Sequence, residues 1–459
     1  MTKKRPNVVF IMTDQQRADM IGEGKHPNAD FPNLEKLREE SVQFTKCYTA
    51  AMACVPSRTC YLTGQQSWQN KTAGNARFTQ GGNPYSWMSV LRENGYRCVS
   101  VGKTHEVHAG SHHIQVPQYK SYGDMGAYGQ GGGFKHYEME ETEETKENFF
   151  DFATVHRAED ALDRLAVTSA GPFAMFVGFH GPHEPYTMPK EYMDTYSPDE
   201  VLLPAEVNEN TKNAKSQCYK NKVESLEKKF GPATDEKTRT GIAGYLNLMK
   251  IIDDCVGQLL EKLKEMDLLE NTLVVFSSDH GEMLGEYGIF GKGATFHEAE
   301  VRIPLMMRFP DGKEAGTVRN GLVSTIDWNP TLYDYLDIKP DFGMPGKSVM
   351  PMVENNEAVR DHVLCGCQGL MIRNEKYKLW HNPGTQDGEM YDLENDPDEM
   401  NNLYNEESFS DLKSKLLKDM LEARMDDDRA IAQLTSKDRR LLEEVCASHE
   451  PQVIAWPKS

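Results

Sequence analysis

Asp14, Cys54, Arg58, Lys103, His105, His183, Asp279, His280 and Lys292 stand out in this 459-residue sequence because their types and neighbours serve chemistry better than packing. Cys54 opens the run Cys54-Val55-Pro56-Ser57-Arg58-Thr59-Cys60-Tyr61-Leu62-Thr63-Gly64. A free Cys packs well as a small hydrophobe, but a core has no need of Ser and Arg fixed three and four residues after it. Asp14 and Asp279-His280 follow two separate apolar runs. Carboxylates converging from two such places repel unless a cation sits between them, and hard oxygen donors suit a hard cation. Lys103 with His105, and His180 with His183, follow two further runs. The residue types are those of a metal centre surrounded by catalytic cations and acids.

Those positions call for a scaffold that brings strand ends together. Val8 to Met12, Cys98 to Gly102, Phe173 to Phe179 and Leu273 to Phe276 are continuous apolar runs, not alternating ones. Such runs suit strands covered on both faces, as in a parallel sheet flanked by helices, where ligands bind beyond the carboxyl ends of the strands. Each of the four runs ends in polar side chains of the kinds just named. Asn33 to Glu40 and Trp87 to Glu93 read as short amphipathic helices, and Thr240 to Met266 as a long one with apolar residues near the helical period. Asn208 to Asp235 is Lys- and Glu-rich, either a solvated helical excursion or a loop near the site mouth; Gly123 to Gly133 reads as a surface loop. After about Val359 the texture changes. Met371 to Trp380 reads as a hairpin, Glu389 to Leu393 as a strand, Asp396 to Glu399 as a turn and Phe409 to Met425 as a helix. The expected fold is therefore α/β, a large mixed and mostly parallel sheet between helices, with residues 1–357 forming the catalytic part and residues 358–459 a small antiparallel sheet plus helix.

The Cys-x-Pro-Ser-Arg run resembles the signature of the type I sulfatases, members of the alkaline phosphatase superfamily. In that family the Cys is oxidised to formylglycine by a maturation enzyme, and the hydrated aldehyde is the nucleophile. The resemblance extends along most of the chain in the family's order, and it implies an alkaline phosphatase-like sheet sandwiched by helices. It also implies roles. Asp14, Gln15, Asp279, His280 and the group derived from Cys54 would hold Ca²⁺, or Mg²⁺; Gln15 stands where the family often has a second Asp. Arg58 would hold the nucleophile and metal shell. Gly102-Lys103-Thr104-His105 resembles the Gly-Lys-x-His element whose Lys and His contact the nucleophile's hydroxyls, the His helping to deprotonate one. Pro182-His183-Glu184-Pro185 resembles the element whose His protonates the leaving oxygen, with His180 as runner-up, and Lys292 would complete the sulfate clamp. The implied activity is hydrolysis of a sulfate monoester, and the family commonly acts on sulfated sugars. Trp68, Asn70, Asn75 and Arg77 are candidates to line a sugar pocket.

The bulk composition limits the partners. With 51 basic and 71 acidic side chains the net charge is −20, which argues against nucleic acid or an anionic membrane surface as a partner. An anionic substrate then requires cations concentrated locally. The chain has nine Cys without framework spacing, and Cys365-x-Cys367 is too close for a usual zinc pair. His108, His112, His113 and His297 lack helical metal spacing and read as loop residues near the substrate mouth. No long apolar run suits a membrane span. As written the sequence reads as cytoplasmic, and as periplasmic or secreted if a leader was trimmed. Three alternatives accompany the sulfatase reading. One is a phosphonate monoester or phosphodiester hydrolase with the same nucleophile, and another a phosphatase of this fold with an unmodified nucleophile, disfavoured by the Pro-Ser-Arg context. The third is an inactive Ca²⁺- or carbohydrate-binding homologue, which the full set of polar residues argues against.

Overall fold

β1 (Asn7–Asp14) is buried along its whole length, and its two faces look into different cores. Val9 and Ile11 pack with the helices Phe150–Val167 and Asp235–Glu265, while Val8, Phe10 and Met12 pack with Trp87, Trp328 and Leu332 on the other side. That two-sided covering is why the run is continuously apolar. The computed structural model describes residues 5–22, 24–72, 74–75, 86–104, 112–114, 136–167, 171–205, 212–213, 215–292, 295–366, 369–384 and 387–432. Gly123 to Gly133 lies outside them.

The other strands follow as β2 (Val42–Tyr48), β3 (Arg97–Gly102), β4 (His112–Ile114), β5 (Met139–Glu141), β6 (Phe173–Pro182), β7 (Tyr186–Met188), β8 (Thr272–Ser278), β9 (Arg302–Arg308) and β10 (Val318–Ser324). Among the described residues the main sheet has the order β10-β2-β9-β8-β1-β6-β3-β4. β9 runs antiparallel to both its neighbours, and the other pairs are parallel, so the sheet is mixed and mostly parallel as expected. The four apolar runs occupy its centre as adjacent parallel strands, β8-β1-β6-β3, with Val8 level with both Leu273 and Ala174.

The long helix begins at Asp235, earlier than Thr240, because Thr234 caps it and Asp235 and Glu236 fill its first turn. Its apolar stripe starts only later, so periodicity did not reach that end. The Lys-rich stretch holds the helix Gln217–Phe230, capped by Ser216, which accepts from the Tyr219 N–H at 3.2 Å.

In the C-terminal part, β11 (His362–Gly366), β12 (Leu370–Asn374), β13 (Tyr377–Asn382) and β14 (Asp387–Asp392) form an antiparallel sheet in that order, including the anticipated hairpin. The helix Ser410–Ala432 covers one face through Leu416, Met420 and Ala423. On the other face Val363, Cys365, Met371 and Trp380 pack with Tyr48, Met52 and Leu322 of the larger part. Among the described residues no helix is long and apolar enough to cross a membrane.

Candidate active site

The carboxyl ends of β8, β1, β6 and β3 lie side by side, so Asp279, Asp14, His183 and Lys103 emerge into one place. Two glycines let β3 and β6 approach closely there. The Lys103 N–H donates to Gly178 O at 2.7 Å, and a Cβ on Gly178 would sit 2.0 Å from Lys103 O. Gly102 has φ +79°, a conformation that turns the chain outward just before Lys103. At the end of β6, Asp151 accepts from the His180 N–H at 2.7 Å and the Gly181 N–H at 3.2 Å, fixing the segment that leads to His183.

Cys54 is the first residue of the helix Cys54–Thr63, and Ala53 before it provides no side-chain cap. Asn75 substitutes, its Oδ1 accepting from the Val55 N–H at 3.1 Å. Ser57 Oγ donates to Asp279 O at 2.6 Å, tying this helix to the end of β8. The thiol therefore sits at the positive end of a helix dipole, 1 % exposed. Its Sγ lies 2.9 Å from Lys292 Nζ, 3.3 Å from His280 Nε2 and 3.7 Å from Asp14 Oδ1.

Charges alternate around it. Arg58 donates from Nε to Asp279 Oδ2 at 2.9 Å and from Nη2 to Asp14 Oδ2 at 3.0 Å, and also to the carbonyls of Lys103 and Thr13. Lys103 Nζ is 2.7 Å from Asp14 Oδ2. Burial opposes ionisation of Asp14, but Lys103, Lys292, His183 and Arg58 outweigh it and hold its pKa well below the usual carboxylate range. Asp279 goes the other way: burial and the charge on Asp14 push its pKa up. Lys292 is kept charged against its burial by Cys54 and Asp14.

Ligand atoms of Asp14, Cys54, Asp279 and His280 all lie within 4.8 Å of one another. Two buried carboxylates, one of them raised by the other, with an imidazole and the Cys54 thiol beside them, form a group that could hold a metal ion. Gln15 adjoins this cluster. Its backbone N–H donates to Asp279 Oδ1 at 3.0 Å, its Oε1 accepts from Lys292 at 2.9 Å, and its Nε2 faces Glu184 and Glu282. Burial raises the Glu282 pKa, as does the charge on Glu184; Glu184 is lowered by His183 and His136 despite its own burial.

The two imidazoles of the β6 segment differ. His183 Nδ1 lies 2.5 Å from Glu184 O, which leaves Nε2 directed at the site, 3.8 Å from Asp14 Oδ1. His180 is held neutral by burial and by the charges of Lys103 and His183. Of the two, His183 has the placement of an acid.

Most sequence-predicted site residues are thus brought together; His105, Arg77 and His108 lie outside the described residues. Two expectations need correction. Trp68 packs under Arg424 of the C-terminal helix and donates to Asp428, and Asn70 is buried against Gln65 O and the Thr72 N–H, so neither is free to line a sugar pocket. His297 is not at a mouth; it lies 1 % exposed between Lys215 and Glu389, where the C-terminal sheet meets the larger part. The residues that sequence reasoning missed are Asp151, Glu184 and Glu282. Glu184 sits inside a singled-out motif and Glu282 two residues past His280, but an acid in such a segment looks like any solvated one until its burial is known.

A model of the family described as sulfatase matches residues 6–338, and one described as N-sulphoglucosamine sulphohydrolase, C-terminal, matches residues 285–426. The chain is 28% identical to the uncharacterized sulfatase YidJ of Escherichia coli, over 90% of this chain and 86% of that protein. It is 25% identical to the N-acetylglucosamine-6-O-sulfatase of Bacteroides thetaiotaomicron, over 96% of this chain and 91% of the relative. Among solved structures, the phosphonate monoester hydrolase of Agrobacterium radiobacter superposes with a TM-score of 0.78 at 21% identity, covering 95% of this chain and 99% of that one. That last likeness is one of fold.

Proposed function

The chain belongs to the sulfatase family, whose members hydrolyse sulfate esters, and from that premise we propose that its substrate is a sulfated carbohydrate and its nucleophile the formylglycine derived from Cys54. The observation that carries the reading is the approach of Lys292 Nζ, His280 Nε2 and Asp14 to one buried thiol at the ends of β1 and β8. Support for a sugar comes from the N-acetylglucosamine-6-O-sulfatase relative, which spans almost the whole chain.

A sulfate monoester presents three non-bridging oxygens and leaves with an alkoxide. Lys103 and Lys292 offer fixed positive charge to those oxygens in a largely buried site, where such charges act strongly and need no reorganisation. Arg58 keeps Asp14 and Asp279 in place from beneath. His183 donates from Nε2 to the leaving oxygen while Nδ1 is anchored on Glu184 O; general acid catalysis of this kind contributes about 10²–10⁴-fold. His105 follows Lys103 by two residues and is assigned removal of a proton from the nucleophile. Formylglycine, made by a maturation enzyme, adds a water to give two hydroxyls on one carbon, so that one can attack sulfur and the other, losing its proton, can expel sulfate and restore the aldehyde, which Ser or Thr cannot do. Asp14, Gln15, Asp279, His280 and the group derived from Cys54 would hold Ca²⁺ or Mg²⁺, which would supply further positive charge to the site.

The test is a sulfate-release screen over sulfated mono- and disaccharides beside an aryl sulfate, choline sulfate and a phosphonate monoester. Enzyme matured in the cell should show Cys54 lighter by about 18 Da by peptide mass spectrometry, the change from CH₂SH to the CHO whose hydrate is the nucleophile. Release from a sulfated sugar is the expected result. Faster turnover of the phosphonate ester than of every sulfate overturns the reading, and activity on the aryl sulfate alone removes the sugar.

A further inference from the structure

Lys292 is carried by a segment without regular structure, and something must aim it. The stretch from Met283 to Gly291 loops out and closes on itself through the Met283 N–H donating to Gly291 O at 3.2 Å. Two non-glycine residues within it, Leu284 and Tyr287, have positive φ, so the loop is held in a conformation that it would not choose alone. Glu282, wholly buried, stands at its base. One carboxylate oxygen accepts from the Leu284 N–H at 3.1 Å and from the Gly291 N–H, the residue before Lys292. The other accepts from Gln15 Nε2.

That second contact reaches the lysine itself. Because Gln15 Nε2 is fixed by the oxygens of Glu282 and Glu184, its Oε1 is turned toward Lys292 Nζ, 2.9 Å away, and the same ammonium is 2.9 Å from Cys54 Sγ. We propose that Glu282 is a positioning residue for Lys292, setting both the backbone on which it stands and, through Gln15, the direction of its ammonium. The inference rests on the sulfatase reading for what Lys292 does, but not for where it points.

The chemistry of the relay makes a specific demand. Glu282 offers one oxygen to the loop and the other to Gln15, whereas a Gln at position 282 has only one oxygen to offer. If its oxygen stays on the loop N–H groups, its NH₂ meets the NH₂ of Gln15, which must then flip and turn a donor toward the Lys292 ammonium. Glu282→Gln should therefore lower kcat/KM on the sulfate ester by about 10–100-fold, the usual effect of losing a group that orients an active-site residue. The melting temperature should stay close to wild type. Glu282→Asp, which keeps the carboxyl group but draws it back by one methylene, should lose less.

The deciding measurement is a double-mutant cycle with Lys292→Ala. If Glu282 works through Lys292, its substitution costs no more than about twofold once Lys292 is gone. Losses that multiply in the double variant overturn the proposal. If Glu282→Gln does not fold, Glu282→Asp carries the same cycle. A crystal structure of the variant protein reads the position without turnover: Lys292 Nζ should move by about 1 Å or more, enough to matter for catalysis. An unmoved Lys292 also overturns the proposal. Wild-type protein that releases no sulfate from any ester would refute the functional reading instead, leaving that structure to decide the role of Glu282.

Discussion

Arg58 joins two carboxylates that repel each other, Asp14 and Asp279, and all three side chains are buried. Its planar fork reaches Asp14, Asp279 and two backbone carbonyls at once, which a lysine ammonium cannot do. Arg58→Ala should cost about 3–5 kcal/mol of stability in chelator, since removing one partner strands a buried charge. Added Ca²⁺ should restore more stability to this variant than it adds to wild type, because an ion between Asp14 and Asp279 takes over the neutralising role. Denaturant titrations with and without Ca²⁺ check this; equal gains in the two proteins would remove Asp14 and Asp279 from the ion's ligands. At this scale the sequence was most legible. Cys54, Arg58, Asp14, Asp279 and His280 could be found because their chemistry demands fixed neighbours, either within a motif or at the end of an apolar run. Glu282 could not, since its role depends on where Gly291 and Gln15 come to lie. Trp68 misled because aromatic residues serve a sugar pocket and a helix interface equally well.

The end of β6 depends on a carboxyl held where it is uncomfortable. Burial raises the pKa of Asp151 to about 6, even though the His180 and Gly181 N–H groups and Lys103 pull it down. A raised acid pKa means that the folded protein keeps a proton which the unfolded chain gives up near pH 3.8. The stability contributed is complete below that value and is lost as pH rises through about 6. Asp151→Asn has no such proton, so its stability should fall less than wild type's between pH 4 and pH 6.5, with a final difference on the order of 3 kcal/mol. Parallel stability curves for the two proteins would show that Asp151 does not titrate there. The helix Gln217–Phe230 is also an element with work at the site: Lys222 Nζ donates to Lys292 O at 2.9 Å, and Tyr219 OH to Tyr287 O. The sequence left that stretch between helix and loop. Its apolar positions are few, and the partners they meet, Met283, Tyr287 and Ile289, belong to a loop that shows no period.

At the scale of the molecule, the two sheets share one apolar cluster, in which Val363, Cys365, Met371 and Trp380 meet Tyr48, Met52 and Leu322. Arg360 adds an ion pair to Asp327, and Lys215 is buried against His297 and Tyr391 at the same junction. Neither sheet can keep that face dry alone, so calorimetry on the full-length protein should show a single endotherm; a separate early transition would mean that the C-terminal sheet melts by itself. The central strands were legible because burial on both faces writes itself into composition, whereas the antiparallel β9 was not, since strand direction leaves no mark on a sequence. The strand order also sets a timetable. Thr13 on β1 bonds to Ser277 on β8, and 264 residues separate them. At a synthesis rate of about 5–20 residues per second, β1 waits roughly 13–50 seconds after it leaves the ribosome before that neighbour exists. β1, buried along its whole length in the folded protein, is thus the first strand of this sheet to be made, and during that interval it lacks the cover that β8 supplies.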